Sequence, residues 1–233
     1  MSSGVTIAVS TGTIPPYAIE RLARRAAVIA AVLFITATAS TMAGQILLDG
    51  VSNAAVAFTP AQVNLLSLAV VFEIMNGLAS AGIALALYPV LRHFSELAAT
   101  GYLGMRLVEG ALGVAAAAGL MVLLVPDSGW AFAYHDAVFL LVLIVFSCGT
   151  LLFYPLLFKY RLVPRVLSVW GGIGGLMLLA SCVLILFGRI EIGGSVDLVL
   201  SLPIWINEMA LAVWLLVRGL DLGALREGAN HGL

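Results

Sequence analysis

The sequence is poor in the residues on which most catalytic and nucleic-acid-binding proteins depend. Charged residues make up 10% of the chain, the formal net charge is −1, and only two cysteines and three histidines are present. No basic cluster large enough to bind nucleic acid occurs. The His-Glu-x-x-His motif, the phosphate-binding P-loop and the Gly-x-Ser-x-Gly elbow are also missing. We therefore predict no nucleic-acid partner, and the cofactors, if any, are unknown from the sequence.

Apolar residues, by contrast, make up 62% of the chain, and the mean hydropathy is +1.13. They form six long runs, at residues 26–48, 63–91, 103–125, 132–158, 166–187 and 198–217. An apolar helix of about 20 residues crosses the ~30 Å hydrocarbon core of a bilayer. The sequence thus predicts an all-α, polytopic transmembrane helical bundle of six spans at residues 21–220. A flexible N-terminal segment is expected at residues 1–20 and a tail at residues 221–233.

Lysine and arginine are distributed unevenly between the two ends of these spans. Ten of the 11 basic residues fall on the side that holds both termini, and Arg189 alone falls on the other. Since basic residues favour the cytoplasmic side, both termini are predicted to be cytoplasmic. A cleaved signal peptide is the alternative for the first run, because Arg24 and Arg25 precede it and small residues lie near Ala43. The run is long for that role.

Both cysteines and several small residues fall inside the predicted spans. Cys148 and Cys182 differ in predicted depth by roughly 15 Å, so we expect no disulfide between them. Small residues four apart favour close packing of helices, within the bundle or in a homo- or hetero-oligomer. Such pairs are Gly77 and Ala81, Gly113 and Ala117, and Gly171 and Gly175.

Six polar or charged residues lie where lipid would exclude them. Five are predicted within roughly 6 Å of the bilayer midplane, and Arg106 about one turn closer to the cytoplasm. The candidate set is Glu73, Asn76, Arg106, Glu109, Asn207 and Glu208. A spacing of three residues places Arg106 and Glu109 on one helix face, and Glu73 and Asn76 share a face in the same way. Because an isolated guanidinium at this depth is costly, we expect Arg106 to pair with one of the three glutamates.

This cluster has two interpretations. In the structural one, Arg106 and Glu109 form a buried pair, while Glu73 and Glu208 stay protonated and hydrogen-bonded, because burial disfavours a charged carboxyl group. In the functional one, the cluster binds a cation, a proton or a polar head group. The sequence leaves both open.

His135 and Asp136 form a secondary candidate site near the predicted outer end of the fourth span. The two could act as an acid-base pair, although an adjacent pair at a helix start is more often a cap or a surface feature. His93 and His231 are predicted on the opposite side of the membrane, which excludes a three-histidine zinc site with His135. No metal site is predicted.

Three blocks of sequence carry a family resemblance. They are ALYPVLRHFSELAATGYLGMRLVEGALG at 86–113, LLFYPLLFKYRLVPRVLSVWGGIGG at 151–175 and LPIWINEMALAVWLLVRGL at 202–220. In their order and spacing they resemble the bacterial membrane family catalogued as domain of unknown function 4386, over nearly all of the chain after residue 20. The resemblance implies a multi-pass protein of the bacterial cytoplasmic membrane, surrounded by membrane lipids and with no established activity. It supplies no catalytic residue.

The expected function is accordingly non-enzymatic. We expect the polar cluster to allow binding or passage of a small polar ligand or ion, or the protein to act as an accessory or scaffold beside another membrane protein. The alternative is an intramembrane enzyme acting on a lipid-like substrate, with His135, Asp136 and the buried glutamates as acid-base groups.

Overall fold

The protein is described by a computed structural model that covers residues 16–51, 58–125, 128 and 130–223. This part of the chain contains six α-helices and no β-strand. They are α1 (Pro16–Asp49), α2 (Pro60–Leu91), α3 (Glu96–Val122), α4 (Trp130–Lys159), α5 (Arg165–Leu186) and α6 (Ser195–Val217). Each is long and apolar enough to cross a membrane. The predicted all-α bundle of six spans is confirmed.

Two helices begin well before the apolar runs that predicted them. Helix α1 starts at Pro16, so residues 16–20 of the segment expected to be flexible are helical, while residues 1–15 and 224–233 lie outside the described residues. Helix α3 starts at Glu96, where the Ser95 hydroxyl accepts a hydrogen bond from the Ala98 amide. A capped polar first turn is stable in the hydrated head-group region, so a helix extends beyond its apolar part.

The helices form a closed ring in chain order. Each packs against the helices that precede and follow it, and α1 also packs against α6. Short connections make consecutive helices antiparallel. At the end of the ring where α1 begins and α6 ends, Arg24 of α1 donates hydrogen bonds to the carbonyl oxygens of Leu215 and Leu216, at 3.3 and 2.7 Å. Side chains from all six helices can therefore point into the interior of the ring.

The outer surface of the ring is apolar and the interior contains the polar groups. Large exposed side chains such as Ile46, Leu78 and Val199 cover the outside, whereas Glu73, Arg106 and other polar residues are buried. In water such a surface would be unfavourable, and in a bilayer it contacts acyl chains. The chain is an integral membrane protein in contact with lipid.

Glycines allow the closest helix contacts within the chain. A Cβ atom built on Gly110 of α3 would lie 2.6 Å from the carbonyl oxygen of Gly77 in α2, and one on Gly113 would lie 3.3 Å from the Gly77 Cα. Gly171 and Gly175 of α5 lie directly against Tyr154 and Thr150 of α4. The small-residue faces found in the sequence are thus occupied inside the bundle, and any oligomer would have to use other surfaces.

Candidate functional site

Arg106 of α3 is the centre of a buried hydrogen-bond network. Its Nη1 donates to Glu109 Oε1 at 3.0 Å and its Nη2 to Glu208 Oε1 of α6 at 3.3 Å. Its Nε donates to the Tyr102 hydroxyl at 3.1 Å. The predicted pairing of Arg106 is confirmed, with two of the three proposed glutamates as partners. Since removal of one member of a buried ion pair leaves an uncompensated charge, loss of the Arg106 guanidinium would be costly to the fold.

Aromatic rings enclose the Arg106 guanidinium. Its Cζ lies 4.8 Å from the ring centroid of Phe146 in α4, 5.5 Å from that of Tyr102 and 5.7 Å from that of Phe34 in α1. Tyr102 is itself stacked on Phe153, with ring centroids 4.5 Å apart. A cation among aromatic faces is attracted to their π electrons, more strongly where water is excluded. The rings therefore hold the guanidinium in place while its N–H groups hold the carboxylates.

A cavity of about 60 Å³ lies beside this network and is lined by side chains from all six helices. We call it the central cavity. Its polar lining consists of Thr38, Thr41, Asn76, Ser80, Arg106, Glu109 and Glu208. The Glu208 side chain is 12% exposed, against 5% for Glu109 and 3% for Arg106. Glu208 is thus the most accessible charged group of the network.

Asn207 lies apart from the residues with which the sequence grouped it. Its Nδ2 donates to the Leu167 carbonyl oxygen at 3.0 Å, which ties α6 to α5, and it does not line the central cavity. Adjacent residues of a helix point about 100° apart. Because Glu208 faces the cavity, its neighbour faces α5. Asn76 does line the cavity, as the predicted cluster requires.

Glu73 does not line the central cavity but faces His135. Glu73 Oε2 lies 4.0 Å from His135 Nε2, and His135 Nδ1 lies 3.1 Å from Asp136 Oδ1. His135 is 2% exposed and stacks on Phe139. The expectation of a surface pair is therefore wrong for His135, whereas the Asp136 side chain is 57% exposed. The buried stripe of α4 continues through Val142, Val138, His135 and Ala131 to the N-terminal end of the helix, which places His135 inside the bundle.

Three residues of buried networks were missed in the sequence. Tyr102 lies one turn before Arg106, and this i, i+4 spacing could have identified it. Ser80 lies beside Glu109, and its i+7 spacing from Glu73 is the signal that could have identified it. Asp197 accepts hydrogen bonds from Ser181 Oγ at 2.7 Å and from the Gly193 amide at 2.8 Å. An acid in the first turn of a helix after a Gly-Gly turn is the signal for this structural role.

The network offers few donors for a structural or catalytic metal. Among the described residues, no group of three histidine, cysteine, aspartate or glutamate side chains is placed to hold a metal ion. Cys148 and Cys182 are both free thiols, as their predicted depths required. What the site does provide is one guanidinium, two carboxylates and several hydroxyl and amide oxygens around a small cavity.

Comparison with known proteins identifies a family and no characterised relative. No curated protein and no solved structure matches the chain. One family model, described as a domain of unknown function, matches residues 28–219, which extend from the first part of α1 to just beyond α6. Because this match covers most of the chain and all six helices, the protein belongs to the DUF4386 family.

Proposed function

We propose that this integral membrane protein binds a proton or a small monovalent cation in the central cavity, with Glu208 as the binding carboxylate. The observation that supports it best is that Glu109 and Glu208 share a single guanidinium, that of Arg106, at the edge of a cavity inside the bundle. We place the protein in the bacterial cytoplasmic membrane, with both termini on the cytoplasmic side.

The charge of the site favours a cation. With all three side chains ionised, two carboxylates face one guanidinium, which leaves one negative charge in excess. An excess charge buried at this depth is unfavourable unless a counter-ion or a proton compensates it. A single positive charge at Glu208 would make the network neutral.

The size of the cavity limits the ligand further. A volume of about 60 Å³ holds roughly four water-sized groups. Sites for organic ligands are commonly ~300–1,000 Å³, so a lipid head group or metabolite does not fit without rearrangement. Thr38, Thr41 and Ser80 add hydroxyl oxygens, the kind of ligand that hard cations prefer. With only two carboxylates, both bound to Arg106, a monovalent ion is better matched than a divalent one.

The enzymatic alternative is not favoured by this arrangement. His135 and Asp136, its acid-base candidates, do not line the central cavity, and the cavity is too small for a lipid-like substrate. One observation supports the scaffold interpretation. Each side-chain nitrogen of Arg106 already has a hydrogen-bond partner within the protein. The experiment must therefore distinguish a site from a structural network.

Thermal unfolding of the purified protein in detergent makes this distinction. Sodium, potassium and lithium chloride are compared with choline chloride at constant pH and ionic strength, and pH is varied separately in choline chloride. A ligand that binds the native state raises the unfolding temperature. We expect this stabilisation in the wild type and in Glu191→Gln, a control at an exposed site.

In Glu208→Gln the stabilisation should disappear while the protein still folds, because glutamine keeps the shape but cannot exchange a proton or bear a charge. Equal responses of Glu208→Gln and the wild type in both the ion and the pH series would refute the proposal and favour the scaffold.

A further inference from the structure

A second and larger cavity lies at the end of the ring where α1 begins and α6 ends. It measures about 680 Å³ and is formed by the start of α1, the turn between α4 and α5, and the end of α6. Four arginines line it: Arg24, Arg161, Arg165 and Arg218. We call it the basic cavity. None of its lining residues lines the central cavity.

The walls of the basic cavity are held together by main-chain hydrogen bonds. The Asp221 amide donates to the Leu162 carbonyl oxygen at 2.9 Å, which joins the segment after α6 to the α4–α5 turn. Arg161 in that turn has φ of 54°, a left-handed conformation that is uncommon for residues other than glycine. The structure thus fixes the backbone from which Arg161 projects.

The charges of the cavity favour an anion. Its lining contains four arginines against two carboxylates, Glu20 and Asp221. The guanidinium of Arg24 binds carbonyl oxygens of α6, and that of Arg165 lies 5.5 Å from the ring centroid of Phe158. Arg161 and Arg218 are exposed. Guanidinium groups bind phosphate oxygens through paired N–H donors, which makes a phosphate group the best-matched ligand.

The position of the cavity relative to the bilayer favours a phosphate at head-group level. Arg24 lies two residues before the apolar part of α1, and Arg161 and Arg165 lie between the apolar parts of α4 and α5. Arg218 directly follows α6. Basic pockets between helices at this level are suited to acidic lipid head groups. Val163, Trp214 and Leu220 provide apolar wall for a glycerol or acyl portion. The volume is also within the ~300–1,000 Å³ of common ligand sites.

We infer that the basic cavity binds a phosphate ester, as the head group of an anionic phospholipid or as a free phosphate compound. Arg161 and Arg218 contact the phosphate, while Arg24 holds α6 against α1. This site acts independently of the central cavity.

The test is thermal unfolding in a nonionic detergent with four additives: short-chain phosphatidylglycerol, phosphatidylcholine of the same chain length, glycerol 3-phosphate and inorganic phosphate, at constant ionic strength. Stabilisation by phosphatidylglycerol alone identifies a lipid site, and equal stabilisation by glycerol 3-phosphate or phosphate identifies a free phosphate compound. In the double variant Arg161→Gln, Arg218→Gln, the ligand concentration needed for the same rise in unfolding temperature should increase by about tenfold or more.

Arg92→Gln is the matched control, because Arg92 is exposed in the α2–α3 turn at the same end of the ring but does not line the cavity. It should respond as the wild type does, and so should Glu208→Gln. If the double variant does not fold, the single variant Arg218→Gln takes its place as the cavity variant. The inference is overturned if none of the three anionic additives stabilises the wild type more than the zwitterionic phosphatidylcholine does. It is also overturned if the cavity variants and Arg92→Gln lose stabilisation equally.

Discussion

Arg106 pairs with two buried carboxylates at once, so its replacement affects more than one contact. In Arg106→Gln, Glu109 and Glu208 would remain buried without their cation. Breaking a buried ion pair by removing one partner costs about 3–5 kcal/mol. We expect a loss of this size in the free energy of unfolding, measured by titration with denaturing detergent. Arg92→Gln, at an exposed turn, should change it by less than about 0.5 kcal/mol.

A triple variant separates unpaired charge from lost packing. Replacing Arg106, Glu109 and Glu208 together by Met, Gln and Gln leaves no unpaired charge, so the cost of burying an uncompensated carboxylate is absent. The triple variant should therefore be more stable than Arg106→Gln alone. If Arg106→Gln is as stable as the wild type, the network does not stabilise the fold.

At the level of single residues, spacing along one helix was a better guide than proximity between helices. The pair of Arg106 and Glu109 follows from an i, i+3 spacing, and the participation of Glu208 from its depth. The approach of His135 to Glu73 did not follow, because it depends on how α2 and α4 are rotated about their own axes. Single-helix periodicity contains no information on that rotation when both faces of the helix are apolar.

Hydropathy located the six helices but did not locate their ends. The apolar run identifies only the part of each helix inside the hydrocarbon, whereas the polar turns of α1 and α3 extend beyond it. The ends depend on capping groups such as Thr59, whose side chain and that of Gln62 satisfy each other's backbone amides at the start of α2. Those signals were present in the sequence and are local, so the helix ends were in principle predictable.

The contact between α2 and α3 depends on the absence of a side chain at Gly110. In Gly110→Ala the new methyl group would lie 2.6 Å from the Gly77 carbonyl oxygen, and the backbones would have to separate. Overpacking of this kind costs typically ~1–3 kcal/mol. We expect Gly110→Ala to lower the free energy of unfolding by that amount, in the same denaturing-detergent titration.

Gly104 of the same helix is the matched control. Apart from the backbone of its own helix, no atom lies within 4 Å of a Cβ built at this exposed position. Gly104→Ala should be neutral or stabilise the helix by up to ~1 kcal/mol, since alanine loses less conformational entropy than glycine when the helix forms. Equal destabilisation by both variants would contradict the role assigned to the α2–α3 contact.

At the level of the whole molecule, the ring could be predicted only in part. Short connections imply that consecutive helices are neighbours, and this holds for every consecutive pair from α1 to α6. Closure of the ring by α1 and α6 is a contact between the two ends of the chain, and no local pattern indicates it. The central cavity depends on that closure, because Thr38 and Thr41 of α1 face Glu208 of α6 across it.

The orientation of the ring in the membrane is testable by cysteine labelling. With the native Cys148 and Cys182 replaced by alanine, Ser195→Cys should react with a membrane-impermeant maleimide in intact spheroplasts, and His93→Cys only after permeabilisation. Both positions are exposed and lie at opposite ends of the ring. Labelling of His93→Cys alone in intact cells would reverse the assigned topology.

The bond between Arg106 and Glu208 also imposes an order on biosynthesis. The two residues are 102 positions apart in the chain. At ~5–20 residues per second, the ribosome completes Glu208 roughly 5 to 20 seconds after Arg106. During that interval, of its two carboxylate partners the Arg106 guanidinium can pair only with Glu109, which is on the same helix. The sixth helix therefore adds a second carboxylate to a guanidinium that Glu109 already neutralises, so the excess negative charge of the cavity arises only when α6 joins the bundle.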